Sequence, residues 1–312
     1  MSLKQNIALS APYIRRARDS RGIMRDVCIA LLPVMAGALW FFRWRALWLL
    51  LATTAACAAT EWLCLLLRKT RGFDGSAMVT GLLLALSLPA GTSLWAAAGA
   101  GVFAIAVVKH AFGGIGHNLL NPAMAGRALL MVAWPASLSG YEWADAVSAA
   151  TPLSVRGKAM WSMFLGNENG SLGETSALLI LIGGFLLLAT GCIRLRVPVA
   201  CLGTFAAVMW VFGGKGLFTG NVTAQLLSGG LMLGAFYMVT DFTGKPTTFA
   251  GELIFAGGVG ALTAVLRLWG PYPEGVCFAI LLMNLATPLI EMVTRPPVYG
   301  TRKALTQARA GR

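Results

Sequence analysis

From Val27 onward the chain carries one long uncharged apolar run after another, more than any soluble core could take up. Candidate spans lie at Val27 to Phe42, Ala46 to Leu67, Ala77 to Leu88, Leu94 to Val108, Ala123 to Leu138, Ser176 to Ile193, Val199 to Phe212, Leu226 to Val239, Leu253 to Leu266 and Val276 to Val293. Crossing about 30 Å of hydrocarbon takes about 20 helical residues, so Ala77 to Leu88 and Leu226 to Val239 are too short and read as half-helices. The sequence therefore predicts an all-α polytopic membrane protein of about ten transmembrane segments. Only 12% of residues are charged, against roughly a quarter in ordinary globular domains. That leaves little chain for a soluble domain and excludes a Rossmann, barrel or P-loop enzyme.

A net charge of +13 would suggest nucleic acid in a soluble protein. Here the basic residues flank apolar runs and read as topology signals, so no nucleic-acid partner is expected and the lipid bilayer is. With the arginine-rich start placed in the cytoplasm, 19 of the 25 basic residues fall on that side, Lys109 and Arg127 among them. Both termini are then cytoplasmic in a bacterial inner membrane. The chain divides into a basic segment 1–25, a first five-span set 26–138, an outer-face loop 139–175, a second five-span set 176–293 and a basic tail 294–312. The start does not read as a cleaved signal peptide. Six cysteines without a C-x-x-C, and only two histidines, argue against iron–sulfur, zinc and bis-His haem sites, so no metal is expected.

Five spans per half invert the second half relative to the first. Each half holds a short Gly-rich run, GSAMVTGLLLALSLPAG from Gly75 and SGGLMLGAFYMVTDFTG from Ser228, followed one span later by an Asn/Pro element, HNLLNPAM and MNLATPL. The pairing suggests two inverted repeats whose broken helices meet near the midplane, although Gly-rich helices also pack closely for structural reasons alone.

The outer loop contains Ser148-Ala149-Ala150-Thr151-Pro152, small residues around hydroxyls. At this point the chain resembles RnfD, the D-type membrane component of the Rnf (Rsx) electron-transport complex, and its sister NqrB of the sodium-pumping NADH:quinone oxidoreductase. An S-G-A-T type motif there bears FMN on its threonine through a phosphoester. The resemblance continues through SAPYIRRARDSRGIMRDVCIALLP, DGSAMVTGLLLALSLP, KHAFGGIGHNLLNPAMAGR, MVTDFTGKPTT and the stretch from Gly251. It implies covalent FMN on Thr151, flanked by Ser148, Ala149, Ala150 and Pro152. It also implies maturation by a flavin transferase, and partners in the other Rnf subunits (A, B, C, E and G). The complex would link ferredoxin and NAD redox chemistry to Na⁺ or H⁺ movement, with no catalytic cycle and no catalytic residue in this chain alone. NqrB's association with noncovalent riboflavin implies a comparable second flavin between the repeats. Ala149 stands where the family usually has Gly, which matters if that position needs a positive φ.

The Lys109 to Arg127 segment sets a Gly-rich turn, Asn118 and Asn121 before a helix that starts at Pro122. It reads equally as an anion- or flavin-binding helix start and as a tight turn with Asn caps. Asp241 reads either as a cytoplasmic loop acid or as a polar group lining a central site. Glu61, inside a span, is a candidate for an ion path, for a pair with a basic residue of a neighbouring subunit, or for a hydrated position near the inner surface. Tryptophans such as Trp40, Trp44, Trp48 and Trp134 read as interfacial belts. The rival reading is a secondary transporter or channel with an inverted-repeat fold and no flavin.

Overall fold

The computed structural model describes residues 19–69, 72–138, 164, 170–214, 216–220, 222–270 and 275–295. The Thr151 motif, with Ser148, Ala149, Ala150 and Pro152, lies outside them. The described residues are helical with no strand, and each of the ten apolar runs carries a helix. The helical stretch Ser20–Leu67 breaks at Arg43 (φ 48°, ψ −125°), giving α1 (20–42) and α2 (44–67). The break falls where Arg43 and Arg45 interrupt the apolar run, with Trp40 81% and Trp44 72% exposed beside it.

The short run from Ala77 is α3, Ser76–Leu86. At 1.5 Å per residue it is about half a span long. Helix α4 (Leu94–Phe103) widens into π turns over Ala104–His110. Packing of α2, α3 and α4 depends on missing side chains. A Cβ on Gly81 would stand 2.7 Å from Thr54 Cα, and one on Gly101 would stand 2.9 Å from Cys57 Sγ. Small residues at such crossings let membrane helices approach where no hydrophobic force drives them together. Helix α5, Pro122–Ala133, starts with Asn121 as its cap and Pro122 in the first turn, where the missing N–H is no loss.

The second half opens with α6 (Ala177–Ala189), capped by Ser176, and α7 (Arg196–Phe212). The run from Leu226 to Val239 is not continuous. It splits into α8 (Val222–Leu227), a turn at Ser228 to Gly230 with Gly229 at φ 69°, and α9 (Leu231–Leu233), which continues as π turns over Gly234–Met238. Helices α10 (Phe249–Trp269) and α11 (Val276–Thr294) close the fold. The Ser20–Leu67 segment, α10 and α11 are long and apolar enough to cross a membrane, and five shorter apolar helices accompany them. Together they describe an integral membrane protein. Trp44 and Trp48, Leu289 and Val293 stay exposed on the outside of the bundle.

Candidate functional site

Four groups of polar residues sit inside this apolar fold. The first joins α2, α3 and α4. Lys109 lies in the π-turned end of α4 with its side chain buried in the bundle. Its side chain is 2% exposed, and its ammonium donates to Glu61 Oε1 and to Ser76 Oγ, with Asp74 Oδ1 at 3.5 Å. Asp74 in turn accepts from the Ser76 hydroxyl (2.7 Å) and the Ser76 amide (2.9 Å). Burial works to raise the Asp74 carboxyl, but the Ser76 hydrogen bonds and the Lys109 charge outweigh it and hold the group below its usual range. Arg68 donates to the carbonyl of the neighbouring His110. Glu61 thus pairs within its own chain, an arrangement the sequence does not suggest. Lys109, expected as a positive signal in an inner loop, is a buried partner instead.

The second group lines a cavity where α3, the start of α5 and the end of α9 converge. Val79, Leu83, Leu187 and Ile193 make apolar walls, and Asn118, Asn121, Asp241, Thr240 and Thr243 supply polar groups. Asn118, Asn121 and Asp241, far apart in sequence, therefore meet at one cavity. The two asparagines do different work. Asn121 Oδ1 caps α5, accepting from Ala123 N (3.0 Å) and Met124 N (3.3 Å), while its Nδ2 donates to Met238 O across the gap to α9 (3.4 Å). In the amide orientation that satisfies both ends, Asn284 of α11 accepts from Asn121 N (2.9 Å) and donates to Gly244 O (3.1 Å). The Asn/Pro elements of the two halves thus touch. Asn118 Oδ1, by contrast, is buried with no hydrogen-bond partner among the described residues. Asp241 accepts from the Thr243 hydroxyl at 3.2 Å. Burial pushes its carboxyl up, against hydrogen bonds from Thr243 and Phe242 and the pull of Lys245.

The cavity combines apolar walls with the unpartnered Asn118 Oδ1, the kinds of group that bind the faces and an edge of a planar amphipathic ring. Asn118, Asn121 and Asp241 are the residues that could hold a noncovalent flavin. For the covalent group, the donor set is chemically apt, a threonine hydroxyl among small residues. Among the described residues no cluster of three or more metal-ligating side chains occurs.

The third and fourth groups escape sequence reading. Arg127, expected at an inner span end, sits within α5 with its side chain 8% exposed, 3.9 Å from Glu174 Oε1. Likewise Glu252, 3% exposed at the start of α10, gathers Arg194 (3.5 Å), Arg196 and Lys245 (3.3 Å). Arg127 and Lys109 are therefore ion-pair partners and not topology signals. The only sequence trace of these pairs is an acid in or beside an apolar run, which names no partner.

The model of the NQR2, RnfD, RnfE family matches residues 7–300. The chain is 40% identical to the D component of the proton-translocating ferredoxin:NAD(+) oxidoreductase complex of Clostridium ljungdahlii, over 96% of this chain and 98% of that protein. It is also 40% identical to the D component of the Na(+)-translocating ferredoxin:NAD(+) oxidoreductase complex of Acetobacterium woodii, over 96% and 97%. A third relative, the D component of the ion-translocating oxidoreductase complex of Stutzerimonas stutzeri, is 40% identical over 89% and 91%.

Proposed function

We infer the function from one premise: the chain belongs to the NQR2, RnfD, RnfE family. It is proposed to be the D-type membrane component of an ion-translocating ferredoxin:NAD oxidoreductase complex, with FMN esterified to Thr151 and a second, noncovalent flavin such as riboflavin in the central cavity. The observation that carries the reading is full-length likeness at 40% identity to two D components so named. Their names differ in the ion moved, so the cation is Na⁺ or H⁺ on equal footing.

Bound flavin supplies one- and two-electron transfer. The chain's own residues do the rest. Thr151 provides the hydroxyl for the phosphoester, on a loop placed at the outer face where a flavin transferase reaches it. Asn118 bonds an edge of the ring in the cavity, Asn121 and Asn284 fix the walls, and Asp241 sets a carboxylate beside it. Glu61 and Asp241 are the proposed acids of the cation path. The ten spans form two inverted five-span repeats in the inner membrane, with both termini cytoplasmic and the half-helices α3 and α9 facing each other across the pseudo-symmetry axis. The other Rnf subunits (A, B, C, E and G) complete the redox chain.

The test is direct. The chain co-expressed with a flavin transferase, denatured and run on a gel, should give a fluorescent band at its own mass, and acid extraction should release a further, noncovalent flavin. A non-fluorescent band together with an empty extract would favour the transporter reading.

A further inference from the structure

The Glu252 cluster gathers more positive charge than its acid can answer. Arg196 donates to Glu252 Oε2 through Nε (2.6 Å) and Nη2, while Arg194 stands 3.5 Å and Lys245 3.3 Å from Oε1. Three cations thus share one paired carboxylate. Of the neighbouring acids, Glu291 accepts from Thr247 and Asp241 from Thr243, and neither forms an ion pair with the three among the described residues. The arrangement is also ordered. Arg196 is fixed between the carboxylate and the face of Phe249, 4.5 Å from the ring centroid, whereas the Arg194 side chain keeps 62% of its surface exposed.

The cluster sits where two helices begin. Helix α7 starts at Arg196 with no side chain capping it, and α10 starts at Phe249 with Glu252 in its first turn. A helix start carries a partial positive charge and favours anions, so cations gathered there deepen a positive field that Glu252 offsets only in part. At their other ends the rings of Phe212 and Trp269 meet, 5.8 Å between centroids, so α7 and α10 run side by side in one direction. Leu195, Val199, Phe249 and Ile254 are exposed beside the cluster. A positive, hydrogen-bonding patch therefore adjoins an apolar surface at the end of two membrane helices, the two chemistries of a phospholipid in the order a bilayer presents them.

We propose that Arg194, Arg196 and Lys245, held together by Glu252, bind the phosphate of an anionic phospholipid in the inner leaflet, with its acyl chains along the exposed apolar residues of α7 and α10. Glu252 orients the cations, and Arg194 and Lys245 supply donors to the headgroup. The inference goes beyond the proposed redox role and asks nothing of a flavin.

The experiment mixes the full chain in detergent, and separately the assembled complex, with phosphatidylglycerol, phosphatidylcholine or inorganic phosphate. Native mass spectrometry counts bound lipid, and the rise of unfolding temperature with lipid concentration gives the affinity. Phosphatidylglycerol is expected to form a one-to-one adduct and to stabilise the chain, and phosphatidylcholine to do neither. Arg194→Gln should weaken phosphatidylglycerol binding about fivefold, and Arg194→Gln with Lys245→Gln about 25-fold, at about fivefold per basic residue. Should the double variant fold poorly, Arg194→Gln carries the test, because its one ion-pair contact is long and its side chain largely exposed. Arg21→Gln with Lys69→Gln removes the same charge from exposed positions elsewhere on the inner side and should leave binding near wild type. An equal loss in that control would overturn the proposal, since binding would then follow overall charge. Stabilisation by inorganic phosphate alone, matching that by the lipid, would overturn it in favour of a free-anion site. Loss of the adduct on assembly would overturn it in favour of an acidic partner segment. None of these readouts needs bound flavin or turnover, so failure here and failure of the redox reading are separate results.

Discussion

Lys109 and Glu61 are joined inside the bundle, the ammonium donating to the carboxylate from α4 to α2 with each side chain 2% exposed. Both side chains are buried, so each charge is stabilised mainly by the other and by Asp74 and Ser76. Removing one partner leaves an uncompensated charge in a low dielectric, which costs about 3–5 kcal/mol, whereas removing both is often close to neutral. Lys109→Met is therefore expected to lower the unfolding temperature in detergent sharply, and Glu61→Met added to it to recover most of the loss. A double variant no more stable than Lys109→Met would show that the pair is not what the two residues contribute.

This pair also marks where sequence reading stops. The positions of α3, of the Asn121 cap and of most spans are legible, because apolar periodicity, Pro122 and flanking polar residues are local signals. Lys109 and Arg127 are misread because a basic residue at the edge of an apolar run looks the same whether it faces phosphate headgroups or an acid 48 residues away. The turn within Leu226 to Val239 is missed because SGG reads as close-packing glycine, and only Gly229 at φ 69° reveals the break. Asn118, Asn121 and Asp241 can be named as candidates from sequence. Their meeting at one cavity is a property of the fold.

Tyr237 bridges the halves. Its hydroxyl donates to Ala30 O of α1 at 3.0 Å, passing Gly183 of α6, where an added Cβ would lie 1.9 Å from the Tyr237 hydroxyl oxygen and 2.1 Å from Ala30 O. Tyr237→Phe should cost about 0.5–1.5 kcal/mol, one net hydrogen bond. Gly183→Ala should cost more, about 1–3 kcal/mol, because backbone of α1 blocks relief of the overlap. Thermal unfolding of both variants checks the order, and an alanine variant milder than the phenylalanine one would contradict the packing.

Thr151→Val keeps the shape of threonine and removes the nucleophilic oxygen. It is expected to abolish covalent FMN with membrane insertion intact. A persisting fluorescent band would move the attachment, with Ser148 and Ser154 next in line. Ala149→Gly should leave flavinylation equal or better, and a clear loss would mean the loop has adapted to alanine.

Removing Lys109, Arg127 and the Glu252 partners Arg194, Arg196 and Lys245 from the positive-inside count still leaves an excess on the side of Arg68, Lys69 and Arg295. Reporter fusions after Leu67 and after Val293 should therefore report cytoplasm, and fusions between Ser139 and Thr175 the outer face. An inward-facing Thr151 loop would overturn the orientation.

Asp241 sets stability against function. Burial raises its carboxyl from the ordinary 3.8, more than the Thr243 and Phe242 hydrogen bonds and Lys245 lower it. A carboxyl raised in the native state holds its proton more tightly there than in the unfolded chain. Its favourable contribution is complete below 3.8 and is lost as pH climbs through the native value. Asparagine has no proton to lose and escapes that loss. Asp241→Asn is therefore expected to unfold at a higher temperature than wild type near neutral pH, with the gap closing as pH is lowered toward 3.8. If the aspartate is kept in spite of this cost, the charge serves the cation path, because a site indifferent to charge is not shifted by electron arrival. In a reconstituted complex the same variant should lower ion transport per electron more than it lowers electron transfer. A less stable asparagine variant would refute the burial argument, and an unchanged ion-to-electron ratio would remove Asp241 from the path while leaving the stability result to stand alone.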